Sequence, residues 1–583
     1  MEGRVSATPY YRVDAEHSGE LGREVWVLGP PGTGKTTFLS GSVRNTALLR
    51  GNRNVAVASF TTTAAAEIAG RGLGLPKSQV GTLHSLAYRA IDCPPVADEQ
   101  VDDWNTHHPA WALTRTGRSQ SLDDSGAVEA GANGASEGDA LASRLDALRA
   151  ARVPVEHWPS DVGWFGKAWD AWKRANGVID FSDMIEMALD GVEYAPGRPD
   201  VLFADEVQDF TPLELALVRK WGRHAERLIL AGDDDQSVYS FRGAHPDAWL
   251  DQPIPDADKI VLSQSWRIPH SVHRAAEHWI RQVGRREDKL YLPRAEEGLV
   301  RRIGVDFQQP HMLADQIEAS LATTDVDNDG VERPATVMVL ATCGYMLDPV
   351  KHELRKRGLP FANPWRRSRG DWNPFPASTG RTVSSRERLL AYLTLDERDD
   401  VGLGDLARPW TGQDVKRWAH VVKKRGIFIR GAAAAIEALP DRELEFDEIA
   451  GLFVDDVELE QAVTPDLGWL ERNLTSASRA PMTFPIEVAR RRGARALLDE
   501  PRVFLGTMHS FKGAQASVVY LIPDLSTRGS NEWRQRGAPQ DSVRRLFYVG
   551  MTRARRELAV CAAATSLHVS PEQIVAGARR QAA

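Results

Sequence analysis

The sequence predicts an α/β protein with two doubly wound parallel-sheet domains, each interrupted by a mainly helical insertion. Three observations carry this. Over residues 20–90, short apolar runs of strand length alternate with helix-like segments. Two later runs end in acids: Asp200-Val201-Leu202-Phe203-Ala204 leads into Asp205-Glu206, and Arg227–Gly232 leads into Asp233-Asp234-Asp235-Gln236. Strand C-termini are where open parallel sheets place their sites. A second set of strand-like runs, 335–340 and 503–506, flanks a mostly helical stretch near 396–485. Strand–helix alternation on both sides of insertions implies two interrupted cores.

Composition bounds the rest. A chain of 583 residues exceeds one hydrophobic core, so two to four domains are expected. Hydrophobic content of 42% and charged content of 26% are ordinary for a globular protein. No apolar run reaches membrane-spanning length, and the N-terminus lacks a basic-then-apolar leader, so no membrane association is expected. Cys93, Cys343 and Cys561 lie far apart, with no CxxC pair. They cannot make a four-cysteine cluster, so no iron–sulfur centre is expected, and a reduced, cytoplasmic setting fits. The formal charge of −8 excludes a bulk polycation; any nucleic acid must be held by a local groove.

Gly29-Pro30-Pro31-Gly32-Thr33-Gly34-Lys35-Thr36 fits G-x-x-x-x-G-K-[ST] at every defined position. It follows the apolar run Val25–Leu28 and opens a helix near Lys35, the strand–loop–helix context the motif requires. Glycines let backbone N–H groups turn inward around phosphate oxygens. Lys35 adds charge at the β/γ-phosphates, and the Thr36 hydroxyl can ligand Mg²⁺. The expected partner is Asp205-Glu206: one carboxylate holds Mg²⁺ and its neighbour orients and deprotonates the attacking water. Gln236 is placed to sense the γ-phosphate, and Arg267 and Arg553 to supply positive charge to the transition state.

Other segments read as structure. Thr62–Gly70 reads as a short helix. Residues 113–142 are rich in Ser, Gly, Ala, Asp and Glu and read as a flexible surface insertion. A Trp-rich helical stretch follows, in which the Trp169/Trp172 spacing suits core packing. Asp325–Gly330 resembles the start of a calcium loop, but its twelfth position is Thr336, so it reads as an acidic turn.

An ordered series of motifs resembles the superfamily 1 DNA helicases of the UvrD/Rep/PcrA type. Ser59–Ile68 (SFTTTAAAEI) is similar to "TFTNKAAxEM", Gly81–Ala87 (GTLHSLA) to "GTFHSLA", and Ile179–Met184 to "xDFDDLL". Asp205–Asp209 (DEVQD) resembles "DExQD", and Gly232–Ala244 (GDDDQSVYSFRGA) is similar to "GDxDQSIYxFRGA". Ser265-Trp266-Arg267 stands in place of "NYR", Gly506–Gly513 (GTMHSFKG) resembles "xTxHxxKG", and Arg544–Ala554 (RRLFYVGMTRA) resembles "RRLxYVAxTRA". The resemblance covers roughly 20–90, 176–267, 335–395 and 500–562.

The resemblance implies an ATP- and Mg²⁺-dependent motor that moves 3′→5′ on single-stranded DNA and acts at single/double-strand junctions. It implies two RecA-like motor domains, 1–90 with 176–267 (1A) and 268–395 with 486–583 (2A), the inserts being 91–175 (1B) and a reduced 396–485 (2B). ATP would sit between the motor domains. Lys35, Thr36, Asp205, Glu206, Gln236, Arg267 and Arg553 match hydrolysis residues, and Trp266 matches an aromatic that stacks on adenine. Phe60, Thr61, Thr82, His84, Tyr239, Phe241, Arg242 and His509 fall in segments that line the single-strand track. An aromatic grips any base through its π face; the spacing of Tyr239 and Phe241 suits a buried strand edge equally well.

Four positions depart from the pattern. No Gln precedes the phosphate loop, the first in the chain being Gln79; Thr37 stands where relatives often carry Arg; Gln515 replaces the Glu of "KGLE"; and Leu340–Tyr345 lacks the usual Arg. These, with the short second insert, leave room for a DNA-stimulated ATPase subunit without strong unwinding. A helicase–nuclease is disfavoured, since about 30 residues follow Arg553. Stacking alone does not separate DNA from RNA.

Overall fold

The computed structural model describes residues 21–60, 74–114, 136–326, 330–366, 370–375, 383–393, 410–464 and 466–578. The helix expected at Thr62–Gly70, Thr61, the centre of 113–142 and the tip of the Asp325–Gly330 turn lie outside them. The chain divides into two compact units, residues 1–303 with 507–583, and residues 304–506.

The first unit carries a six-stranded parallel sheet in the order β3-β2-β4-β5-β1-β6. Its strands are β1 Glu24–Leu28, β2 Val55–Ser59, β3 Val80–Thr82, β4 Val201–Asp205, β5 Arg227–Gly232 and β6 Lys259–Val261. The central strands are buried on both faces, which explains their continuous apolar runs. Trp26, Leu28, Ala56, Leu202 and Leu230 face one core layer; Val25, Val27, Val55, Phe203 and Ile229 face the other. Leu28 pairs with Gly232 and Val261, and Ser59 with Asp205. The loops carrying the motifs therefore leave the sheet along one edge.

The same unit holds a parallel group in which β14 (Ala554–Val560) pairs with β7 (Leu299–Arg302) and β13 (Ala516–Leu521). Its insertion is helical: Val101–His107, Glu137–Ala150 and Ser160–Asn176. Trp104, Leu141, Leu145, Phe165, Trp169 and Trp172 form a separate core there. The expected core role of Trp169 and Trp172 holds. The flexible reading of 113–142 fails at its described ends: Leu113 is buried, and Ser136 opens a capping box with Asp139 that starts a regular helix at Glu137. Composition suggested solvent, but a cap and the pattern Leu141/Leu145 outweigh it.

In the second unit β11 (Phe361–Ala362) pairs parallel with β12 (Val503–Thr507), next to β10 (Val337–Ala341). β8 (Thr324–Val326) and β9 (Glu332–Pro334) pair antiparallel, so the acidic turn connects a short hairpin. Helices between Gly412 and Arg492 surround a core that includes Tyr392, Trp410, Trp418, Trp469 and Phe428.

Candidate active site

The phosphate loop leaves β1 at Leu28 and enters the helix Lys35–Arg50 through Gly34, whose φ of 81° is left-handed. Gly32 also has positive φ (78°), and a Cβ there would lie 2.4 Å from the Cβ of Arg267. Glycine is required twice over: for the turn, and for the approach of the Ser265–Arg267 segment. That segment is tied to the loop by two bonds, Trp266 N–H to Gly32 O (2.8 Å) and Ser265 Oγ to Pro31 O (3.0 Å), and Tyr291 OH donates to the same Pro31 O (2.8 Å). Thr33 is buried and its hydroxyl donates back to Pro30 O. Trp266 is 53% exposed beside this loop, an open π face. Thr37 is exposed.

Asp205 and Glu206 follow β4. Lys35 Nζ lies 2.6 Å from Glu206 Oε1 and 3.9 Å from Asp205 Oδ1. Burial alone would lower the Lys35 pKa, but these carboxylates outweigh it and the ammonium is held charged. Burial would raise Glu206; Lys35 and Lys512 overcome it and keep Glu206 well below the usual carboxylate range. Asp205 is pushed up to about 6, by burial first. Glu206 adopts φ 57°, rare for a residue with a Cβ, and the Asp205 carboxylate accepts its N–H at 2.9 Å. The other Asp205 oxygen, Oδ2, is buried without a hydrogen-bond partner. An unsatisfied buried carboxylate oxygen, with a threonine hydroxyl on the loop, is a hard-oxygen donor set that suits Mg²⁺.

Gln236 and the two arginines meet here. Gln236 Nε2 donates to Asp233 (2.8 Å), and its Oε1 accepts from Arg553 Nη2 (3.0 Å). Arg553 also donates to Val549 O (2.8 Å). Arg267 Nε donates to Gln515 Oε1 (2.9 Å). Burial, with Arg267 nearby, lowers the Arg553 guanidinium to about 9. Burial likewise lowers Arg267 to about 10, and both remain cationic at neutral pH. Neither guanidinium has a carboxylate partner among the described residues; amide, carbonyl and hydroxyl oxygens receive their N–H groups. Two neighbouring cations with no carboxylate at ion-pair distance among the described residues, beside a phosphate loop, form a site suited to a polyanion.

Several residues of this site escaped the sequence reading. Lys512 pairs with Glu206 (3.3 Å) and Asp209. Gln208 donates to Glu206 and accepts the Asp233 N–H. Asp233, Asp234 and Asp235 look like a metal cluster by position, but Lys289 Nζ sits among all three (3.0, 2.5 and 2.9 Å) and Arg286 binds Asp235 through both of its carboxylate oxygens. Lys289 and Arg286 lie in no motif. Lys512 and Gln208 stood inside quoted motifs, which was the available signal.

The residues expected on a strand track divide. Phe60, Tyr239, Phe241 and His509 form a ring cluster with centroid separations of 5.1 Å (Phe60–Tyr239), 5.9 Å (Tyr239–Phe241) and 5.7 Å (Phe241–His509). The Arg242 guanidinium lies 5.0 Å from the Phe60 ring centroid. Tyr239, however, is 4% exposed and packs with Val238, Ala244 and Val549. Direct stacking by Tyr239 is thus corrected to packing beneath the half-buried Phe60 and Phe241. His509 is lowered to about 4 by burial, so it is neutral at pH 7, and its Nδ1 is buried without a partner. Thr82 caps the helix Leu83–Ala90 by accepting the Ser85 N–H (3.2 Å). His84 lies 3.4 Å from Glu214 and is lowered by burial.

A phosphate loop, a paired acid motif and unpaired arginines define a P-loop nucleoside triphosphatase with two parallel-sheet domains. Residues 19–242 match the AAA domain family, and residues 489–565 match the UvrD-like helicase C-terminal domain. The ATP-dependent DNA helicase UvrD2 of Mycobacterium tuberculosis is 27% identical, over 92% of this chain and 76% of its own. The ATP-dependent DNA helicase UvrD1 of Mycobacterium leprae is 24% identical, over 67% of this chain and 60% of its own. The ATP-dependent DNA helicase PcrA of Staphylococcus epidermidis is 29% identical over 20% of this chain and 17% of its own. The chain belongs to the UvrD-like superfamily 1 helicases. No helix among the described residues is long and apolar enough to cross a membrane.

Proposed function

We propose that this chain is an ATP-dependent DNA helicase that translocates 3′→5′ on single-stranded DNA and separates duplex ahead of it. The observation that carries the reading is the pair of uncompensated arginines, Arg267 and Arg553, at the phosphate loop. In the proposed cycle, loop N–H groups and Lys35 bind the phosphates. Glu206 takes the proton of the attacking water, and Gln236 orients that water or the γ-phosphate. Arg267 and Arg553 stabilise charge developing on the transferred phosphoryl group. Thr36 and Asp205 would hold Mg²⁺, which neutralises phosphate charge when bound. Trp266 stacks on the base. Phe60, Phe241, Arg242 and His509 contact the strand, with Tyr239 supporting them. The four-part division into 1A, 1B, 2A and 2B and a cytoplasmic location belong to the same proposal.

Lys512 supports coupling between the two tasks. Its ammonium pairs with Glu206 and Asp209 and lies 5.6 Å from the Tyr239 ring centroid, so one side chain touches both the acid motif and the ring cluster. Strand displacement on 3′-tailed and 5′-tailed duplexes, of DNA and of RNA, tests the reading. ATP-dependent unwinding of the 3′-tailed DNA alone is expected. DNA-stimulated hydrolysis with no displacement on any substrate would instead favour an ATPase subunit.

A further inference from the structure

We infer that the outer face of the helix Ser160–Asn176, in the insertion, is a second contact site for single-stranded nucleic acid. Trp164, Lys167, Ala171 and Arg174 are exposed at spacings of three, four and three residues. At 3.6 residues per turn they fall within an arc of about 80° and extend about 15 Å along the axis. The opposite face carries Phe165, Trp169 and Trp172 into the insertion's core. The helix thus needs only one face for folding, and its other face is free among the described residues.

That free face has an unusual composition. Trp164 is 66% exposed, while its neighbours in type, Trp169 and Trp172, are 0% and 7% exposed. No ring or cation packs on it among the described residues. Lys167 and Arg174 form no ion pair among the described residues; Arg174 Nε donates only to Asp170 O, on its own helix. Of the acids at the margins, Asp161 pairs with Arg144 (2.6 Å), and Asp170 lies 3.2 Å from Lys173, an ammonium it shares with Asp180 and Asp183. The stripe therefore offers one open π face and two uncommitted cations on a protein of net charge −8. An aromatic flanked by cations suits stacked bases and phosphates better than a protein partner, whose interface core would be apolar and depleted of charge.

The helix that carries the stripe is anchored, through its neighbour, beside the ring cluster. The helix Glu137–Ala150 packs on Ser160–Asn176, and its C-terminal turn meets Gly243, just after Phe241 and Arg242. A Cβ on Gly243 would lie 2.9 Å from Ala147 O and 3.2 Å from the Ala150 Cβ. The insertion is also bolted to the core by Arg149, which binds Asp180, Asp183 and Glu186. A strand held at the ring cluster and again on the stripe would occupy more nucleotides than the cluster alone. The inference rests on the proposed strand-binding function and assigns it a second site.

The test is fluorescence-anisotropy binding of the full chain to oligothymidylates of 8, 16 and 24 nucleotides over a range of salt. Trp164→Ala should weaken binding of the longer strands about tenfold while leaving the 8-mer unchanged, and Trp164→Phe should restore it. Lys167→Ala with Arg174→Ala should reduce the salt slope for long strands by about 1.4, the value for two phosphates on single strands. ATPase activity without nucleic acid should match wild type in every variant. Equal affinity and equal salt slope for the longer strands in these variants would overturn the stripe. Wild type that binds no strand of any length would overturn the function itself, a distinguishable result.

Discussion

The nucleotide site and the ring cluster lie in the same compact unit but are built from opposite materials. The first is a lattice of charge: Lys35, Lys512, Asp205, Glu206 and Asp209 are held by short pairings, and two arginines have no carboxylate at ion-pair distance among the described residues. The second holds rings at 5–6 Å from one another, with Arg242 over Phe60 and a histidine that burial keeps neutral. Charge fixed in advance stabilises a transition state without reorganising, which hydrolysis requires. In the proposed function the rings stack on bases without reading their sequence, as movement along a strand requires. The difference teaches that the two tasks can be damaged separately.

The largest separation should come from Glu206→Gln, which keeps shape but removes the base. Turnover should fall about 10³-fold, roughly 4 kcal/mol, with ATP still bound. Filter binding and steady-state hydrolysis on single-stranded DNA would check this, and activity above half of wild type would sink the assignment. Arg553→Ala follows, with a loss of about 3 kcal/mol in transition-state stabilisation and a much smaller change in ATP affinity. Normal turnover at saturation with greatly weakened ATP binding would make Arg553 a ground-state contact.

Phe241→Ala addresses the other half. Single-strand affinity should drop by about 1–3 kcal/mol while hydrolysis without DNA persists. Unchanged affinity and unwinding would assign Phe241, like Tyr239, to packing. Base selectivity sharpens the comparison further. With an exposed Trp266 and no Gln before the loop, GTP should support hydrolysis within about tenfold of ATP, roughly 1.4 kcal/mol. A hundredfold preference for ATP in kcat/KM would contradict it.

The smallest effects are in pH dependence, and the two regions should have opposite sign. Asp205 titrates near 6 when folded, above its ordinary 3.8, so the native state binds the extra proton between these values. Its contribution to stability falls as pH rises through that window. His509 titrates near 4 when folded, below its ordinary 6.5, so the unfolded state binds the extra proton. Its contribution is complete above 6.5 and is lost as pH falls toward 4. Denaturation midpoints from pH 4.5 to 6.5 should therefore become steeper in pH for Asp205→Asn and flatter for His509→Gln. Shifts of the same sign would refute the assignment of the two groups.

The sequence by itself determined the strands β1, β4, β5, β10 and β12, the phosphate loop and the acid motifs that close β4 and β5. These depend on short-range rules: apolar runs suit buried parallel strands, glycine permits positive φ, and a carboxylate after a strand lies at the sheet edge. Period likewise assigned Trp169 and Trp172 to a core. Tertiary structure alone decided what each side chain meets. Tyr239 went inward because Val549, over 300 residues away, covers it, and spacing could not choose between core and track. Lys289 and Arg286 pair with three aspartates that otherwise resemble a metal site. Lys512 reaches Glu206 across a sequence gap of the same order. The physical reason is that local backbone preference is written in neighbouring residues, whereas burial and charge pairing depend on segments that only the folded chain brings together.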